Sequence, residues 1–139
     1  MLKINQEYLF NITFVNNNKL CGHTCNINVC AENTYEISFS KKSINEELKD
    51  FIQNQILLID NAFVYNKNTN NQLEKELINL LKSNNQKLYG IENDFSLINL
   101  TKHIFKKLNF DCVMENKDFR IESINLQLNP HESIIIKEN

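Results

Sequence analysis

Two stretches of alternating apolar and polar residues, 7–15 and 20–32, flank the tetrapeptide Asn16-Asn17-Asn18-Lys19. Side chains on a strand repeat with period two, so each stretch has two distinct faces. In the first, Tyr8, Phe10, Ile12 and Phe14 share one face, and Asn11 and Thr13 the other. In the second, Cys21, His23, Cys25, Ile27, Val29 and Ala31 stand opposite Gly22, Thr24, Asn26, Asn28 and Glu32. A short polar turn between two such runs predicts an antiparallel hairpin with one face in a core. Whatever the rest of the chain does, it must cover that face. Residues 34–39 are expected to prolong the second strand.

The covering elements follow from a change of period. Ile44, Leu48, Phe51, Ile52 and Ile56 recur at helical spacing and predict a helix ending near Leu57, with an ordered turn over 59–62. Leu73, Leu77, Leu80 and Leu81 predict a second helix over 71–83 with these leucines in the core. Residues 87–91 read as a short strand, and 95–108 as a third helix with Leu97, Leu100, Ile104 and Leu108 inward. On that helix His103 is expected to be exposed beside Lys102. Residues 109–115 and 120–128 are expected to pair as a C-terminal hairpin, with Cys112 a packed strand residue. Ile124, Leu126 and Leu128 share a face; Pro130 ends the strand, and 134–136 add an edge. The order strand–strand, helices, strand–strand predicts an α+β fold, a four-stranded antiparallel sheet with helices on one face. Its open edges invite oligomerisation into a closed β-barrel.

A chain of 139 residues fits one domain spanning 1–139. Its net charge of −2 gives no electrostatic footprint for nucleic acid or an anionic membrane surface. No run approaches the roughly 18 apolar residues that span a bilayer. The first ten residues lack the apolar run of a secretion signal, so the four cysteines are expected to be reduced and the protein cytoplasmic. The spacing Cys21-x3-Cys25-x4-Cys30 matches no common zinc module. Asparagine occurs 25 times and Arg120 is the only arginine, a compositional bias that weakens the weight of any single Asn.

Candidate chemistry gathers at Cys21, His23 and Asp60. Cys21 and His23 place a thiol and an imidazole on one strand face, as a strand offers two ligands to one metal, or as ordinary core positions do. Asp60 follows a helix, where a carboxyl group either caps a turn or acts as an acid. His131 lies in a late turn.

Several segments together resemble the 6-pyruvoyltetrahydropterin synthase and 6-carboxytetrahydropterin synthase family, the tunnelling fold. The segments are Phe10-Asn11-Ile12-Thr13-Phe14, Cys21-Gly22-His23-Thr24-Cys25 and the stretch from Leu48 to Ile59-Asp60-Asn61. Two more are Phe95 to Thr101 and Ile124-Asn125-Leu126-Gln127-Leu128-Asn129-Pro130. Their order and spacing cover most of the chain, and 67–94 resembles an insertion seen in a longer variant of the family.

The resemblance implies zinc held by three histidines as a Lewis acid on dihydroneopterin triphosphate. It also implies a Cys with an Asp–His pair for proton transfer, a Glu on the last strand anchoring the pterin ring, and sites between subunits of a hexamer. Position by position, the zinc histidines fall on Phe14, Cys21 and His23, and the catalytic cysteine on Asn17. The Asp–His pair falls on Asp60-Asn61, and the anchoring Glu on Leu128. The expectation is a divergent member that lacks the zinc-dependent synthase chemistry, forms a homo-oligomeric trimer or hexamer, and retains a pterin- or purine-type pocket. One alternative is an active carbon–oxygen lyase of a queuosine or pterin/folate pathway, with Cys21 and His23 holding zinc and Asp60 as the acid. Another is a structural subunit that assembles with an active paralogue.

Overall fold

The computed structural model describes residues 3–33, 41–128 and 132–137. The alternating stretches form strands β1 (Lys3–Asn16) and β2 (Lys19–Asn33), both longer than the pattern alone indicated. Their antiparallel register runs from Lys3↔Glu32 to Asn16↔Lys19, which leaves Asn17-Asn18 as the whole turn. Both turn residues have positive φ, 52° and 58°, in the sense that matches the twist of a hairpin. Asn enters this region at low cost because its short polar side chain bonds locally.

After β2 the chain continues as α1 (Lys41–Ile59), β3 (Ala62–Asn66), α2 (Gln72–Ser83), β4 (Leu88–Ile91), α3 (Leu97–Met114), β5 (Phe119–Leu128) and β6 (Glu132–Lys137). The sheet has six strands in the order β4-β3-β1-β2-β5-β6. This corrects the expected four-stranded antiparallel sheet. The antiparallel part, β1-β2-β5-β6, is present; β3 and β4 extend it beyond β1 and pair in parallel. The turn expected over 59–62 is confined to Asp60-Asn61, after which Ala62-Phe63-Val64-Tyr65-Asn66 enters the sheet. Parallel neighbours need a crossover, and α2 provides it between β3 and β4.

One apolar cluster joins the inner face of the sheet to α1 and α3. It contains Phe10, Ile12, Ile27 and Val29 from the hairpin, Leu48 and Ile52 from α1, Leu100, Ile104 and Leu108 from α3, and Ile124 and Leu126 from β5. Each such side chain contributes about 1.5–3 kcal/mol on full burial. The leucines of α2 do not join it. Leu80 is 59% exposed, Leu73, Leu77 and Leu81 are half-buried, and the only buried residue of that helix is Glu74. The apolar stripe of α2 therefore marks a helix lying over the β3–β4 extension rather than in the main core.

The expected strand over 109–115 is instead the last part of α3. Cys112 continues the stripe Leu97, Leu100, Ile104, Leu108 at four-residue spacing, and burial there pushes its thiol up to about 12. Asn109 uses its carboxamide as a strand would: Nδ2 donates to Ile121 O at 3.1 Å, and Oδ1 accepts from Ile121 N at 3.0 Å. This serves β5 beyond the point where β6, its hairpin partner, stops at Lys137↔Ser123. A register shift between Cys30 and Ala31 of β2 leaves Glu122 as the extra residue of β5. The bulge lets Phe119 and Ile121 share the buried face with Ile124, Leu126 and Leu128 although their parity differs. Residues 34–39, Pro130 and His131, for which sequence expectations were stated, lie outside the described residues. Among the described residues, no helix is long and apolar enough to cross a membrane.

Candidate functional site

The Cys21/His23 pair sits just after the hairpin turn, on the core-facing side of β2, and both side chains are half-buried. Across the strand pair, Cys21 lies opposite Phe14 and His23 opposite Ile12. The Phe14 ring stacks on His23, with centroids 5.6 Å apart and planes 22° from parallel. It also stacks on Phe95, just before α3, at 3.7 Å and 15°. The Cys21 thiol donates to Lys19 O at 3.7 Å. Among the described residues, no group of three or more His, Cys, Asp or Glu side chains converges. A catalytic zinc needs three protein ligands and an open position. Here Cys21 and His23 face a phenyl ring, so the described residues do not supply the three-ligand zinc centre that the resemblance implies.

Asp60 is placed elsewhere, and its contacts account for it structurally. Its Oδ1 accepts from Asn11 N at 2.9 Å, while Asn61 N donates to Asn11 O at 2.7 Å. These two bonds continue the β1 ladder beyond Ile12↔Ala62 and Thr13↔Phe63, its only pairs with β3. Asn61 itself has φ 63°, a left-handed conformation that Asn accepts more easily than most residues. Lys87 completes the junction, with Nζ donating to Leu57 O at 2.7 Å and Asp60 O at 2.8 Å. Carbonyls left without partners at a helix end are commonly met by such a cation. Asp60 joins β1 on its β3 side, whereas His23 lies on the β2 side; the fold does not bring the two into one hydrogen-bonded unit.

The other positions taken from the resemblance also have local contacts in the fold. Asn17 is a turn residue with positive φ. Leu128 pairs with Cys25 and is 8% exposed, and burial pushes the Cys25 thiol up to about 12. His103 is not exposed beside Lys102 as expected. It is half-buried, its Nε2 lies 3.0 Å from Tyr89 Oη, and its ring meets the Tyr89 ring edge-on at 5.3 Å. Burial first, then Lys67 and Lys107, hold its pKa below the ordinary value. Burial likewise raises the Tyr89 phenol to about 12.

Sequence reasoning missed the most developed polar site. A hollow of about 560 Å³ opens between the hairpin turn, the segment after β3, the start of α2 and the segment before α3. Asn66, only 8% exposed, organises it. Its backbone N donates to Glu74 Oε1 at 2.9 Å, its Nδ2 to Asp94 Oδ1 at 2.8 Å, and its Oδ1 accepts from Asn68 N at 2.9 Å. Asn71 caps α2 by accepting from Glu74 N at 2.9 Å and reaches across to donate to Asn18 Oδ1 at 2.7 Å. Phe95 lines the same hollow and carries the Phe14 stack away from it. The signal was present as Asn66-x-Asn68-x-Asn70-Asn71-x-x-Glu74, but in a chain with 25 asparagines it does not stand out.

No protein-family model and no curated protein matches this sequence. Solved structures do match in shape. A 6-pyruvoyl tetrahydropterin synthase from Plasmodium vivax aligns with a TM-score of 0.64 at 12% identity, over 100% of this chain and 99% of that one. The 6-pyruvoyl tetrahydropterin synthase of Caenorhabditis elegans aligns at 0.59 and 12% identity, over 99% and 96%. An uncharacterised protein from Wolinella succinogenes aligns at 0.65 and 10% identity, over 99% and 98%. At such identities the likeness is one of fold: this chain has the fold of the 6-pyruvoyl tetrahydropterin synthases.

Proposed function

We propose that residues 1–139 form one tunnelling-fold domain that does not carry out zinc-dependent synthase chemistry and acts as a ligand-binding homo-oligomer. The observation that carries this reading is the stack of Phe14 on His23 and Phe95, with Phe14 where the resemblance calls for a metal-binding histidine. A phenyl ring has no lone pair for a metal, and two neighbouring rings stack on it. The same reading takes Asn17, Asn61 and Leu128 as turn, ladder and core residues, each satisfied by its own local structure.

Self-association is supported by strand edges. β1 meets β3 at Ile12 and Thr13 and the Asp60-Asn61 turn at Asn11, so among the described strands none pairs with the outer edge of β1 from Lys3 to Phe10. β6 has one described partner, β5. Joining one edge to the other in a ring of copies would leave fewer unpaired backbone groups. The polar sheet face, with Glu7, Asn26, Asn28 and Gln127, would then line its interior. Asn125 Oδ1, buried on that face without a partner among the described residues, supports the same arrangement. The ligand in this reading is a pterin- or purine-type heterocycle, held without a metal.

The test uses the purified full chain. Metal analysis is expected to give far less than one zinc per chain, and dihydroneopterin triphosphate to remain unconverted. Stoichiometric zinc together with turnover would overturn the reading. Light scattering checks the assembly, with a trimer or hexamer expected and a monomer counting against it.

A further inference from the structure

The six-stranded sheet is joined unevenly. β3, α2 and β4 form a βαβ unit, with a parallel ladder from Phe63↔Leu88 to Asn66↔Ile91. The same unit meets β1 at two pairs, Ile12↔Ala62 and Thr13↔Phe63. Of its residues, Val64 and Ile91 are buried in the main apolar cluster, and Tyr89 packs against that cluster. Polar contacts add further ties. Asn71 Nδ2 donates to Asn18 Oδ1 at 2.7 Å, Asn99 Nδ2 donates to Asp94 O at 2.9 Å, and His103 Nε2 lies 3.0 Å from Tyr89 Oη. Proteins open locally in supersecondary units of this kind, where few buried apolar contacts hold the unit to the rest.

Of these three ties, the one through His103 contains a group that changes charge near neutral pH. His103 is half-buried on α3 and meets the Tyr89 ring of β4 edge-on. The charged groups around it are Lys67 after β3, Glu92 after β4, and Lys106 and Lys107 on α3. Three of the four are cations, and the one carboxyl group, Glu92, is already 3.5 Å from Lys67 Nζ. Tyr89 Oη can donate to a neutral imidazole or accept from an imidazolium, so the hydrogen bond alone does not select a protonation state. Burial first, then the lysines, disfavour the imidazolium while the contact is closed. Opening the contact exposes the ring to water and separates it from Lys67. The opened form therefore takes up a proton more readily than the closed one, and falling pH shifts the balance toward opening.

We infer that β3, α2 and β4 open as one unit, and that the His103–Tyr89 contact is its pH-sensitive latch, closed near neutral pH and released in mildly acidic solution. The unit carries Asn66, Asn68, Asn71 and Glu74 of the polar hollow, whereas Asn16, Asn17 and Asn18 belong to the hairpin. Release therefore separates these two parts of its lining while β1, β2 and β5 stay paired. This inference goes beyond the metal-free heterocycle reading and does not depend on it, since that reading leaves the unit without a role.

Native-state hydrogen exchange on the full chain tests it, read by mass spectrometry of peptides at pH 7.5 and pH 5.5, with rates corrected for the intrinsic effect of pH. Protection over β3, α2 and β4 is expected to fall by about two- to tenfold at the lower pH, relative to β1, β2 and β5. About tenfold is the ceiling, because pH 5.5 lies one unit below the ordinary histidine value of about 6.5. His103→Gln removes the titrating group and keeps a side chain able to bond Tyr89 Oη, so this fall should disappear. Should that variant fail to fold, Lys67→Gln serves instead, and removing one cation beside His103 should make the fall smaller. Unchanged protection in the unit, an equal loss across the whole sheet, or the same fall in the variant that folds would each overturn the inference.

Discussion

Two neighbouring regions meet at Phe95 and are built on opposite principles. On one side, Phe14 stacks on Phe95 and His23 at the edge of the apolar core. On the other, Asn66, Glu74, Asp94 and Asn71 hold a polar hollow open with directional hydrogen bonds. In the first region a phenyl ring stands between two other rings. The second is roomy and is lined by asparagines with the carboxyl groups of Glu74 and Asp94. Where the resemblance implies a zinc ligand there is a stacked ring, and the asparagine-lined hollow lies where it assigns no role.

The largest effect expected from breaking this contrast is on the stacked side. Phe14→Ala removes a ring that is 2% exposed and should destabilise the fold by about 3–5 kcal/mol, read as a lower urea midpoint. A loss under about 1 kcal/mol would mean that the ring is not part of the core. On the polar side, Asn66→Ala deletes the bonds to Asp94 and Asn68 but keeps the backbone bond to Glu74. It should cost about 1–3 kcal/mol.

A smaller effect comes from a polar pair placed within the packed half. His103 is half-buried against Tyr89, and burial together with Lys67 and Lys107 lowers its pKa from the ordinary 6.5. The unfolded chain therefore takes up this proton first as the pH falls below about 6.5, and stability declines until the lowered folded value is passed. Urea midpoints measured from pH 8 to pH 5 should show this decline in the parent protein, and a weaker one in His103→Gln. Equal slopes in the two proteins would remove His103 as its source. The smallest effect is expected at the junction of β1 and β3, where Asp60→Ala removes one side-chain bond to Asn11 N at a cost of about 0.5–1.5 kcal/mol. The same variant should leave any bound metal or ligand unchanged, since the carboxyl group is occupied with backbone.

Much of this architecture can be read in the chain before any coordinates. The β1–β2 hairpin follows from strict alternation around the Asn-rich turn, and the buried face of α1 from Leu48, Phe51, Ile52 and Ile56 at helical spacing. β3 was harder to see, because five residues after a helix look like part of a turn until a neighbouring strand pairs with them. The end of α3 was misread because Cys112 and Met114 alternate as strand residues would. Their helical periodicity shows only when Leu108 and Cys112 are joined to the preceding stripe. The bulge at Glu122 hid the common face of Phe119 and Leu128 for a similar reason. Among the site residues, Cys21 and His23 stand out as a strand-face pair, whereas Glu74 is one charged residue among the leucines of α2 and carries no local signal of its burial.

The sequence by itself determined which segments alternate and which turn. Those are properties of short-range periodicity and side-chain chemistry, and they do not depend on what lies nearby. Tertiary structure decided the rest. It set β3 and β4 beside β1, stacked Phe95 on Phe14, and turned Asp60 toward the backbone of Asn11. It also buried Glu74 at the wall of a hollow formed by four separate segments. Burial and electrostatic pairing are long-range quantities, set by residues distant in the chain, and no local pattern carries them.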